Sequence, residues 1–158
     1  MKNLEAGLYS LSHLFLVPVL VLILLALAYA FLALGAFLVE AWQRRRGRYR
    51  SQLAAWHAAH GGGSDDLELW IMKRLEWLRI VSRTTPMLGL VATMIPMGPA
   101  LLALTRSDAQ GVGENMVVAF SSVILALVAA SLTFLILTVR RRWLLVELRD
   151  TERAREAG

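Results

Sequence analysis

Three apolar stretches constrain this chain more than anything else in it. Residues 14–38, 87–104 and 116–139 contain no Asp, Glu, Lys, Arg or His. A hydrocarbon core about 30 Å thick is crossed by roughly 20 helical residues, so each stretch is long enough, or nearly so, to span a bilayer. The middle stretch is the shortest and needs residues 84–86 or a thinned bilayer to complete the crossing. With 57% hydrophobic and 18% charged residues in 158, the composition is too apolar for a soluble domain of this length. The expected fold is all-α: an integral membrane protein with three transmembrane helices and helical extensions outside the bilayer.

The 17 basic residues are unevenly placed. Only Lys2 precedes the first span and only Arg106 lies between the second and third, while the others flank the opposite ends of the spans. Basic residues are retained on the cytoplasmic side, so the N-terminus is expected outside, the C-terminus inside, and the protein in the inner (cytoplasmic) membrane. The first span exceeds a signal h-region, lacks a small-x-small cleavage site and runs into "QRRRGRYR", which reads as a retained anchor. That stop-transfer flank also accounts for the net charge of +5 better than a nucleic-acid patch does.

Between the first two spans the sequence suggests two cytoplasmic helices hinged at "HGGGSDD". Ser64 is a suitable N-cap, and Asp65, Asp66 and Glu68 place negative charge in the first turn, where the helix dipole favours it. Leu67, Ile71, Leu75 and Leu78 then recur at helical spacing, with Trp70 and Trp77 beside them and Lys73, Arg74, Glu76 and Arg79 mainly off the stripe. Such an amphipathic helix must bury its apolar face. A neighbouring subunit or the helix over residues 142–153 is the expected cover, ahead of the membrane surface.

"TRSDAQGVGEN" is expected to be a short outer loop joining the second and third spans; its GVG lacks the strand and lysine of a phosphate loop. The chain has no cysteine, which excludes disulfides and thiolate chemistry. His57 and His60 share a helix face but have no third ligand nearby, and His13 reads as an interfacial side chain. No metal or cofactor is expected. No nucleophile, base and orienting group cluster together, so the chain is not expected to be an enzyme.

The polar atoms within the spans carry the functional question. Thr93, Ser121, Ser122, Ser131 and Thr133 could each satisfy a hydroxyl on the carbonyl one turn back, and small residues such as Gly89, Ala92, Gly98 and Ala100 let helices approach closely. Pro96 and Pro99, however, free the carbonyls of Ala92 and Ile95, and exposed backbone acceptors persist in a membrane only where protein or water meets them. A hydrated seam between the second and third helices follows, near Thr93, Ser121 and Ser122.

The run "TPMLGLVATM", then "VVAFSSVILALVAA" and a basic "RRRW", resembles the paired core helices of the MotA/TolQ/ExbB proton-channel family. The three-span topology is similar to its TolQ and ExbB branch. The resemblance implies a homo-oligomer, pentameric in this family, whose second and third helices line a pore around the membrane helices of a single-span partner. That partner, of the TolR, ExbD or MotB kind, brings a proton-accepting aspartate. The family's pore threonine falls on Thr93; a second pore hydroxyl falls on Ser122, or on Val123 after a one-residue shift, with Ser121 beside it. The glycine that often precedes the threonine is Ala92 here, and the branch's pore glutamate has no counterpart in the third helix.

With no carboxylate, histidine or lysine in any span, a proton path here requires hydroxyls and water from this chain and the acid from another. The expected organisation is an N-terminal region and first span (1–40), a cytoplasmic helical segment (41–85), a channel core (86–140) and a cytoplasmic C-terminal helix (141–158). The function expected is a pore-forming subunit that couples proton motive force to motion of its partner. The competing expectation is a non-conducting oligomeric membrane scaffold or assembly factor.

Overall fold

A computed structural model describes residues 2–47, 55 and 64–156 of the chain. Its elements are three long helices: α1 (Lys2–Arg45), α2 (Ser64–Thr105) and α3 (Ala109–Glu156). All three contain a window long and apolar enough to cross a membrane, in agreement with the sequence. The glycine hinge and His57 and His60 lie outside the described residues.

Each helix outruns its apolar stretch. At 1.5 Å per residue, the 42 residues of α2 extend about 63 Å and the 48 of α3 about 72 Å, roughly twice a hydrocarbon core. Span and extension are therefore continuous helix, in α2 through residues 85–86 and in α3 through residues 140–141. Pro86, Pro96 and Pro99 all sit inside α2 without ending it. A helix surrounded by protein or lipid has no alternative partners for its backbone, so propensity yields to context.

The ends follow local chemistry. Helix α2 starts at Ser64, with Asp65 and Asp66 in its first turn as expected. Helix α1 ends with Arg44 and Arg45 in its last turn, favourable for the dipole, and Gly47 then takes the left-handed conformation at φ 66°. The loop between α2 and α3 is much shorter than expected, only residues 106–108. Ser107 adopts φ 57° and donates its N–H to Leu104 O at 3.1 Å, while Asp108 N–H reaches Ala103 O at 3.0 Å. These bonds close a Schellman motif. Asp108 immediately caps α3 by accepting the Gly111 N–H on Oδ1 at 3.0 Å. The glycines of "AQGVGEN" suggested loop, but the cap drives them into the first turns of a helix.

Helices α2 and α3 form an antiparallel pair with the most extensive contact, and α1 leans on both. One core cluster, at the basic end, packs Leu67, Ile71, Leu75 and Leu78 of α2 against Ile136, Leu144 and Leu148 of α3, with Phe37 and Leu34 of α1 alongside. The amphipathic stripe is thus covered within its own chain, by the same 142–153 segment the sequence suggested. The second cluster joins Val19 and Ile23 of α1, Ala92 of α2 and Ala126 of α3. Only 17% to 33% of each apolar window is buried within the chain, which leaves most of the spanning surface to lipid or other copies.

Candidate functional site: the polar atoms of the spans

Close approach at one glycine fixes the register of the central pair. A Cβ placed on Gly89 would stand 2.8 Å from Ala126 Cβ and 3.5 Å from a Val123 methyl. Because the pair is antiparallel, one turn onward from Gly89 in α2 lies opposite one turn back from Val123 and Ala126 in α3. Thr93 therefore sits at the level of Ala119 and Ser122.

At that level the hydroxyls have distinct surroundings. Thr93 is half-buried and donates to Leu90 O at 2.7 Å. Ser122 is buried and donates to Val118 O at 2.6 Å. Deeper along α3, Thr133 is fully buried and shares its hydroxyl between Ala129 O (2.8 Å) and Ala130 O (3.0 Å). Thr85, a buried hydroxyl the sequence did not single out, bonds Val81 O at 2.7 Å. Each is satisfied by its own helix, the cheapest solution in an apolar medium. Ser121 and Ser131 are exposed.

These groups do not all converge. Ser121 and Ser122 border a groove of about 310 Å³ with Leu20, Ile23 and Leu24 of α1, so they open toward the first helix. Ala92 also faces the α1 side through its contact cluster with Val19 and Ile23, and Thr93 is rotated about 100° from Ala92. Between α2 and α3 the contact is closed by Gly89, Val123 and Ala126. Within one chain, therefore, Thr93 and Ser122 share a level and belong to different faces. Pro96 is buried and Pro99 half-buried, so the proline segment of α2 is largely covered by its own chain.

A polar cluster that sequence reasoning missed closes the basic end. Arg140 of α3 donates through Nε (2.9 Å) and an Nη (2.6 Å) to Glu40 of α1. Arg44 lies 3.2 Å from the other Glu40 oxygen and 2.6 Å from Glu147. Its guanidinium also covers the Trp143 ring at 4.6 Å, and Trp143 stacks on Phe37 at 5.3 Å. The side chains of these four charged residues are 14% to 20% exposed, so the network is shielded enough to hold α1 against α3 in one orientation. Glu40 and Arg140 are a hundred residues apart, beyond any local signal.

Three apolar helices, hydroxyls bonded along their own backbones and a charged clamp at one end define a multi-pass helical membrane protein. Residues 64–152 match the MotA/TolQ/ExbB proton channel family. That is more than half of the chain, and the chain belongs to this family. It is a family of membrane channels and not of enzymes. No curated protein and no solved structure matches the chain.

Proposed function

We propose that this chain is the pore-forming subunit of an inner-membrane, proton-driven energy-transducing complex. It assembles as a homo-oligomeric ring, a pentamer, with its N-terminus outside and its basic end in the cytoplasm. A single-span partner of the TolR, ExbD or MotB kind occupies the ring and contributes an aspartate whose protonation drives its motion. The observation that carries this reading is that a proton-channel family member has no carboxylate, histidine or lysine in any of its three spans. Charge at the bilayer centre is costly, so the titrating acid belongs to another chain and this one contributes hydroxyls, water and shape.

Thr93 is the principal pore-lining residue in this reading. Its half-buried position leaves the hydroxyl able to meet water or a partner helix without repacking the chain. Of the α3 pair, Ser121 is exposed and reaches a neighbour directly, whereas Ser122 joins the path only where the α1 contact opens. Pro96 and Pro99 supply carbonyl acceptors beside Thr93.

The experiment is proton flux into liposomes holding the protein with its single-span partner. Thr93→Val keeps the shape and removes the hydroxyl; it is expected to lower flux by about tenfold, a barrier increase of roughly 1.4 kcal/mol, with the oligomer intact. Full flux from that variant would remove Thr93 from the path. A second reading, a non-conducting scaffold, is favoured by one observation: Thr93, Ser122 and Thr133 all bond their own helices. It predicts no flux above protein-free liposomes for the wild type.

A further inference from the structure

On the α2–α3 pair at its basic end lies a groove of about 1060 Å³ that the channel reading does not use. Arg79 and Arg83 of α2 and Arg141, Arg142 and Arg149 of α3 line it, with Phe134 and Leu137 at the end nearest the spans. Among the described residues none of the five arginines pairs with a carboxylate, in contrast to Arg44 and Arg140. Among the described residues, no acidic side chain lines the groove. Five cations gathered without a counterion repel one another, and an anion placed among them relieves that repulsion.

The position of the groove selects the anion. The apolar stretch of α3 ends at Val139 and that of α2 begins near Met87. In the register set by Gly89 against Ala126, Arg79 and Arg83 lie level with Leu137 and Phe134 at the edge of the apolar stretch of α3, while Arg141, Arg142 and Arg149 lie progressively beyond it. A molecule filling this groove meets cations along its length and apolar side chains at the end nearest the spans, which suits a negative head joined to an apolar tail. Basic pockets between membrane helices take acidic headgroups for this reason, and the guanidinium fork matches phosphate oxygens two at a time. We propose that the groove is a binding site for an anionic phospholipid, with the phosphate among Arg79, Arg141 and Arg142 and the acyl chains running past Phe134 toward the spans. The inference rests on the spans alone and stands or falls separately from the channel reading.

The test uses the full chain in detergent micelles, with added phosphatidylglycerol, phosphatidylcholine of the same acyl chains, or inorganic phosphate. Phosphatidylglycerol is expected to raise Tm saturably by roughly 2–8 °C over the other two. The triple variant Arg79→Gln/Arg141→Gln/Arg142→Gln should keep the wild-type Tm in phosphatidylcholine and lose the response to phosphatidylglycerol. If the triple variant does not fold, Arg142→Gln alone serves, with a weakened response expected. Equal Tm in the two lipids overturns the proposal, as does an equal response to inorganic phosphate, which would make the groove a free-anion site. A variant that keeps the lipid response but loses self-association overturns it as well and assigns the arginines to an acidic surface of another copy.

Discussion

At the scale of single residues, Gly89 marks a close approach of α2 to α3. A methyl there would meet Ala126 Cβ at 2.8 Å, and neither atom is at the end of a side chain that can swing away. Gly89→Ala gains up to about 1 kcal/mol of helix propensity but forces the helices apart, at about 1–3 kcal/mol. The expected result is a lower Tm in micelles, restored by adding Ala126→Gly. An additive, unrescued double variant would show that the two positions do not touch. Ser107 offers the opposite change. It holds φ 57° in the turn between α2 and α3, where a side chain costs free energy that glycine avoids. Ser107→Gly is expected to stabilise the hairpin by roughly 0.5–1 kcal/mol, read as a raised Tm. The sequence showed Gly89 as a small residue suited to close packing. It did not show Ser107 as strained, because serine is a common turn residue whatever its φ.

At the scale of elements, apolar length and the acidic first turn of Asp65 and Asp66 were legible because both are local: a span is a run of residues, and negative charge collects beside the helix end it stabilises. The stripe of Leu67, Ile71, Leu75 and Leu78 was legible for the same reason, and its cover by Leu144 and Leu148 was one of two expected solutions. The outer loop was overdrawn because glycine-rich composition outweighed the single cap, Asp108, that starts α3. The clamp between α1 and α3 was not visible at all, since Glu40 meets Arg140 only after both helices cross the membrane. Its removal has a definite consequence. Glu40→Gln leaves Arg140 and Arg44 without their shared carboxylate and is expected to destabilise the packing of α1 by about 1–3 kcal/mol. Accelerated proteolysis or hydrogen exchange confined to α1 would register it; unchanged protection there would show that α1 is held by its apolar contacts alone.

At the scale of the whole molecule, the three helices bury at most a third of any apolar window among themselves. The two halves of the candidate polar path, Thr93 on α2 and the Ser121–Ser122 pair on α3, do not meet within one chain. Both facts suit the proposed ring, in which a path divided in one copy would be completed between copies or against a partner helix. The family was legible from residues 79–145, whose order of proline, glycine and threonine carried the resemblance, and the three spans from apolar length alone. The arrangement of copies is not written in any single chain's contacts, because a surface that packs on another copy is as apolar as one that meets lipid. Cryo-electron microscopy of the complex purified from its membrane tests this most directly. The account predicts a ring of copies with α2 and α3 inward, Thr93 facing the axis and a foreign helix within it; a lone chain, or a ring with Thr93 turned toward acyl chains, would contradict it.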